Sequence, residues 1–324
     1  MKEMVVKEMD LETRSRLKMC SKTDKYLVES TPILYDELDI RVVNNRFNKS
    51  LNVTLGMESK LGMRLRIAVT DDAIEIIKTP FPPVSLLSCE EYKKQIPCSS
   101  KEEGKKLVEN IIRSILFDGN LRFDTATIFI DVPDFLKNDD CTIHAKHLII
   151  YELSSQTVEW LIKVAPKVKS VTLPAVKWNR GDYMKNLGTI PAVVNAQKIE
   201  IEHYSDINDE QLLNFECTSL NITRKSKITE KGINQLIKKA IANDYPIGTQ
   251  FKINIEYWYY DSSTAWNWIF EGLDVEVTDF IDDEYDEEGY DVTVFGFREG
   301  IIRMKQDKQM NVYIHCGEFI AEIH

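Results

Sequence analysis

Residues 198–255, KIEIEHYSDINDEQLLNFECTSLNITRKSKITEKGINQLIKKAIANDYPIGTQFKINI, decide the fold. Three segments in this run, KIEIE (198–202), SLNIT (219–223) and FKINI (251–255), alternate polar residues with Ile, Leu or Phe. Period-two alternation is the pattern of a strand with one side on a core. NDEQLLNF (208–215) and TEKGINQLIKKAIAND (229–244) stand between them as candidate helices. The unit is therefore strand, helix, strand.

Working outward toward the N-terminus, the same texture recurs. ATIFID (126–131), HLIIY (147–151) and SVTLP (170–174) read as strands, with VPDFLK (132–137), SSQTVEWLIKVAP (154–166) and RGDYMKNLGTIP (180–191) as the helical partners. Strand starts lie about 20–32 residues apart, the range of strand–helix repeats. One such unit cannot bury its own helix and strand; stacking several makes a continuous core and leaves one exposed face of parallel strands. The loose period predicts an irregular leucine-rich-repeat-like curve. An ordinary α/β domain with a parallel sheet is the alternative.

The flanks differ in texture. LDIRVV (38–43), SLNVTL (50–55), RLRIAV (64–69) and AIEIIK (73–78) alternate between Asn, Gly and Asp turns, which predicts a small antiparallel sheet. TPFPPVS (79–85) is a proline-rich break. Residues 99–117 predict a helix capped by Ser99 or Ser100, with Leu107, Val108, Ile111, Ile112, Ile115 and Leu116 as its buried face. Beyond the repeats come an aromatic block, EYWYYDSSTAWNWIF (256–270), and an acidic segment from Asp274 to Asp291. The remainder returns to strand-like alternation, with Arg298-Glu299-Gly300 as a turn, and predicts a closing hairpin or meander. The fold class expected is α/β. Its parts are helices over 1–30, a β-rich segment over 31–98, strand–helix repeats over 99–273, and an acidic loop with terminal strands over 274–324.

The totals bound the function. The chain has 324 residues, enough for two or three core-bearing units. Its formal net charge of −11 argues against nucleic acid as the main partner, because phosphate binding needs a basic surface. No apolar run approaches the length that spans a bilayer, so no membrane role is expected. MKEMVVKEMDLETR carries charges through its apolar stretch and does not read as a signal peptide. Cysteines at 20, 89, 98, 141, 217 and 316 form no tight framework and read as reduced thiols, which fits a cytoplasmic or nuclear protein.

Several residue clusters could carry chemistry or could simply pack. Cys141, His144 and His147 form C-x2-H-x2-H, but a structural zinc site takes four ligands and no second pair stands ready. Cys89 and Cys98 read as free thiols. In IDDEYDEEGYD (281–291), a calcium loop starting at Asp282 would need glycine where Glu287 stands and glutamate where Thr293 stands. Asp282, Asp283, Glu284, Asp286, Glu287 and Glu288 therefore read as a solvated loop or a patch for a basic partner. Trp258, Trp266, Trp268 and Phe270 fill the end of the core or, in part, offer a binding surface. GxGxxG, P-loop, GxSxG and HExxH motifs are absent from the sequence. No enzyme, cofactor or metal is expected.

Three stretches together resemble a known arrangement. VVKEMDLETRSRLKMCSKTDKYLVES (5–30) is similar to the body of an F-box, with Asp10 as a helix cap, the Cys20-Ser21-Lys22 element, and a short helix capped by Thr23 or Asp24 that carries Leu27-Val28. SLNITRKSKITEKGINQLIKKAIAND (219–244) resembles the F-box-associated region of nematode F-box proteins, and YDVTVFGFREGIIRMKQDKQMNVYIH (290–315) is similar to the strands that close that region. The resemblance implies a substrate receptor of a cullin–RING ubiquitin ligase. Its helices dock on a Skp-type adaptor, and its C-terminal repeats hold an unknown protein substrate. Met9, Leu11, Leu17 and Tyr26 are the expected adaptor contacts. The Leu-Pro pair that usually opens an F-box would lie before Met1, which implies a shortened first helix. A repeat-based scaffold without ligase recruitment is the alternative.

Overall fold

The computed structural model describes residues 16–17, 19–31, 33–45, 48–57, 63–69, 73–80, 92–100, 102–104, 106–107, 110, 121–129, 143–151, 168–174, 187–254, 262–280, 297–315 and 317–324. The chain divides into two units, Met1–Val168 and Lys169–His324.

In the first unit, helix α1 (Lys22–Ser30) begins at Ser21, whose backbone is extended and whose Oγ accepts the Asp24 N–H at 3.1 Å. Ser21 is the cap in place of the expected Thr23 or Asp24, because its hydroxyl reaches the third helical amide while Asp24 lies inside the positive end of the helix. The helix stops at Thr31, whose N–H and Oγ1 donate to the carbonyls of Val28 and Leu27. Arg16 and Leu17 are helical, but residues 1–15, and with them Met9 and Leu11, lie outside the described residues.

Seven strands follow: β1 (Ile33–Asn45), β2 (Asn48–Met57), β3 (Met63–Val69), β4 (Ala73–Pro80), β5 (Tyr92–Pro97), β6 (Leu121–Phe129) and β7 (Ala145–Ile150). Their order is β7-β6-β1-β2-β3-β4-β5, parallel from β7 to β1 and antiparallel from β1 to β5. The antiparallel strands are thus not a sheet of their own. Strand β1 carries hydrogen-bonded neighbours on both edges and joins them to the parallel pair. Tyr35 lies opposite Phe123, their rings 5.8 Å apart, and Leu38 opposite Ala126, all four buried.

Before β6, Ser100 Oγ accepts the Glu103 N–H at 3.2 Å, and the Glu103 carboxylate accepts the Ser99 N–H at 2.7 Å. The Ser99 hydroxyl and N–H hold the Glu103 carboxyl below its ordinary value. This reciprocal cap matches the expected helix start. Leu107, however, is 38% exposed rather than part of a buried face. The other residues of that face lie outside the described residues.

The second unit contains β8 (Ser170–Leu173), α2 (Pro191–Val194), β9 (Lys198–Ile201), α3 (Asp209–Asn214), β10 (Ser219–Ile222), α4 (Glu230–Ala242), β11 (Gln250–Asn254), α5 (Ser262–Ile269), β12 (Val275–Phe280), β13 (Phe297–Arg303), β14 (Gln309–His315) and β15 (Glu318–Ile323). Strands β8 to β11 run parallel in sequence order. Strand β15 then pairs antiparallel with β11, and β14, β13 and β12 follow outward. Parallel crossovers share one hand, so strands laid down in sequence order place every connecting helix on the same face. That face is the core: Val171, Ile199, Leu220, Phe251, Ala321 and Val312 form one buried row across it.

Helix α4 is the centre of the helical layer. Ile233, Leu236, Ile237 and Ala240 recur at helical spacing and are all buried. Polar side chains tie it to its neighbours at their open ends. Asp209 of α3 accepts the backbone N–H of Thr229, the N-cap of α4, and the Thr229 hydroxyl, both at 2.7 Å. Lys239 Nζ donates to the carbonyls of Leu213 (2.7 Å) and Phe215 (2.8 Å) at the end of α3. Asn234 Nδ2 donates to the Ile269 carbonyl at the end of α5 (2.6 Å) and to Glu271 (3.1 Å). Helix-terminal groups are thereby satisfied across the layer as well as by caps within each helix, such as the Asn208–Gln211 capping box of α3. Helix α4 itself closes with Tyr245 N–H on the Ala240 carbonyl and Asp244 N–H on Ile241, with Asp244 at φ 50°. Asp244 in turn accepts Lys308 Nζ at 2.6 Å from the β13–β14 turn.

Three expectations are corrected. Of the helix placed over 180–191, residues 180–186 lie outside the described residues; Leu187–Thr189 is a 3-10 turn, and α2 starts at Pro191, because proline suits the first helical position and not the last. The acidic stretch is not all loop, since Val275–Phe280 forms β12. Arg298-Glu299-Gly300 is not a turn but the interior of β13. The turn lies at Gln306-Asp307, both at φ 58°. Gly300 serves close packing: a Cβ there would stand 2.7 Å from Val275 Cγ1 and 3.1 Å from the Trp266 ring.

Candidate partner-binding surfaces

The four expected adaptor contacts separate. Tyr26 stands on α1 at 74% exposure, and Met19, just before the helix, at 79%. Leu17 is half-buried. Helix α1 turns Val28 inward while Tyr26 faces solvent, so an aromatic side chain lies open on a capped, well-started helix. Large apolar side chains left open at one place carry partner contacts more often than scattered ones do.

The second surface is the face of the second unit's sheet opposite its helices. Alternation along each strand sends every other residue there. One row across the strands reads Thr172, Glu200, Asn221, Lys252, Ile320, Tyr313, Glu299. The row beside it reads Ser170, Lys198, Ser219, Gln250, Glu322, Asn311, Ile301. All but Ser170 remain at least partly open to solvent. Lys252 pairs with Glu318 at 3.0 Å, Gln250 donates to Glu322 at 3.3 Å, and Arg303 meets Glu276 at 3.5 Å. Glu200 accepts only a long hydrogen bond from Thr172 Oγ1, 3.4 Å. The side-chain oxygens of Asn221 and Asn311 are covered yet accept no hydrogen bond. Glu200 is thus a partly open carboxylate with little to hold it, whereas the two amide oxygens are closed off from solvent.

The other candidates divide. Trp266 is buried and its ring lies 4.1 Å from that of Phe270, whereas Trp268 is 44% exposed under the Lys231 ammonium at 5.1 Å. Trp258 lies outside the described residues, as do Asp282, Asp283, Glu284, Asp286, Glu287, Glu288, Cys89 and Cys141. His144 and His147 share β7 and the residue before it, and burial, with Arg122 nearby, pushes the His144 imidazole down. Among the described residues no group of three or more His, Cys, Asp or Glu could hold a metal ion. Burial pushes the Cys217 thiol up to about 12, so it is an inert thiol rather than a nucleophile. His203, buried at the end of β9, is pushed down by burial, opposed by a hydrogen bond to the Pro174 backbone. Among the described residues no helix is long and apolar enough to cross a membrane.

The sequence marks the exposed side of the parallel strands only as a region. Its residues, Glu200, Asn221, Tyr313 and Glu299, follow from register, and register between strands distant in sequence has no local signal. Comparison of the chain with family models, with curated proteins and with solved structures returns no match.

Proposed function

We propose that this protein is a non-enzymatic, F-box-type substrate receptor of a cullin–RING ubiquitin ligase. Its N-terminal helices engage a Skp-type adaptor, and its second unit, read as irregular leucine-rich-repeat-like strand–helix units closed by a meander, holds the target. The observation that carries the reading is the open aromatic on α1: Tyr26 stands at 74% exposure beside the Cys20-Ser21-Lys22 element. Such a receptor does no chemistry; it raises the local concentration of the target at the ligase. The test is co-elution of the full chain with a Skp-type adaptor in size-exclusion chromatography. A one-to-one complex that Tyr26→Ala weakens is expected. Separate elution at micromolar concentrations of both proteins would overturn the ligase role.

A second reading is a scaffold that binds a protein partner without recruiting a ligase. It is favoured by the sheet face of the second unit, whose partly open carboxylates Glu200 and Glu299 lie apart in sequence from the N-terminal helices. Target binding with no adaptor binding would select it.

A further inference from the structure

We infer that the open sheet face of the second unit docks an extended protein segment that carries arginine or lysine on either side of apolar residues. The inference rests on the receptor reading only in taking this unit as the part that holds the target.

One row of the sheet carries the features that matter. Glu200 and Asn221 are register neighbours on β9 and β10. Glu200, partly open to solvent, has only the long Thr172 hydrogen bond. At the far end Glu299, also partly open, lies opposite Tyr313. Between these ends stand Ile320 and Tyr313, register neighbours that are partly open to solvent, beside the Lys252–Glu318 pair. The row therefore presents acceptors, an apolar centre, and acceptors again.

Charge settles the kind of occupant. The carboxylates on this face are Glu200, Glu276, Glu299, Glu318 and Glu322, and the cations are Lys198, Lys252 and Arg303. Lys252 is held by Glu318, Arg303 by Glu276, and Glu322 meets His324 at 3.6 Å, which leaves Lys198 against Glu200 and Glu299. A face short of positive charge suits guanidinium or ammonium groups and repels phosphates. Five strand spacings separate Glu200 from Glu299, about 24 Å at roughly 4.8 Å each. An extended segment of about seven residues covers that span, with alternate side chains toward the sheet. Guanidinium groups at its two ends reach Glu200 and Glu299, and apolar residues at its middle cover Ile320 and Tyr313.

The experiment uses the full chain and a fluorescein-labelled heptapeptide, Arg-Ser-Leu-Ser-Leu-Ser-Arg, followed by fluorescence anisotropy near physiological salt. Saturable binding is expected, with none for the same peptide carrying Glu in place of both Arg. Glu200→Gln and Glu299→Gln each weaken binding about tenfold, the scale of one charge-assisted hydrogen bond. Glu210→Gln, exposed on α3 away from this face, changes it less than twofold. Circular dichroism and thermal melting confirm that each variant is folded. Equal weakening by Glu210→Gln and Glu200→Gln would assign the binding to overall charge and overturn the inference. Retention of affinity in the Glu200→Gln/Glu299→Gln double variant would overturn it as well, and so would failure of the wild-type chain to bind. Adaptor co-elution is read separately: its loss leaves peptide binding intact, and loss of peptide binding leaves adaptor co-elution intact.

Discussion

Replacing Gly232 with alanine sets helix propensity against tertiary packing at a position where the two have opposite signs. Gly232 lies in the first turn of α4, and alanine in a helix is favoured over glycine by about 1 kcal/mol. Propensity alone therefore predicts a more stable protein. The Cβ of alanine, however, would overlap the Asp209 carboxylate, which rests on the glycine. That carboxylate cannot move without releasing the Thr229 N–H and hydroxyl, each held at 2.7 Å. Hydrogen bonds to a charged group contribute about 1.5 kcal/mol each at the low end, the value suited to this exposed site. The loss of about 3 kcal/mol exceeds the gain of about 1, so Gly232→Ala is expected to destabilise by about 2 kcal/mol. The assay is urea unfolding followed by circular dichroism, run as a cycle with Asp209→Ala. In the Asp209→Ala background the same glycine substitution is expected to stabilise by about 1 kcal/mol, a reversal of sign. Stabilisation by Gly232→Ala in the wild-type background would refute the capping account of the helical layer.

Lys239→Met keeps the aliphatic stem but removes both hydrogen bonds to the end of α3, and a loss of about 2 kcal/mol is expected in the same assay. Ser205 is fully buried and its hydroxyl has no partner, so Ser205→Ala should leave stability unchanged or raise it by about 1 kcal/mol, read as an increase in Tm. Burial pushes the His203 imidazole below its ordinary 6.5, so the unfolded chain takes up its proton more readily than the folded one. Stability from this group is complete above about pH 6.5 and falls as pH drops through the folded value. His203→Gln should flatten that part of the pH–stability profile, and an unchanged slope would contradict the assignment.

The sequence made strands legible where one face is buried without interruption. KIEIE, SLNIT and FKINI alternate cleanly, and β9, β10 and β11 lie on them with the parallel pairing expected. Strands β1 and β6 were legible only in their second halves. Their buried positions switch from Tyr35 and Phe123 to Leu38, Ala126 and Ile128, and that change of parity interrupts the period at Asp36 and Asp124. The turn expected at Arg298-Glu299-Gly300 failed for a related reason. A glycine that lets a tryptophan ring pack against a strand looks, in sequence, like one that permits a turn. The candidate sheet face is set by register across strands, where Glu200 and Glu299 meet the same row from 99 residues apart, and no local pattern carries that information. The open Tyr26 is different: helical spacing put it on a short helix, and the fold supplied only its exposure.

The central claim, that this chain delivers a target to a ligase, is tested most directly by isothermal titration of a purified Skp-type adaptor into the full chain. The account predicts one-to-one binding that Tyr26→Ala weakens by about tenfold or more, the loss expected for an aromatic anchor of about 1.4 kcal/mol. Absence of measurable heat with folded protein at adaptor concentrations up to about 100 μM, a Kd range in which specific partners are detected, would contradict it.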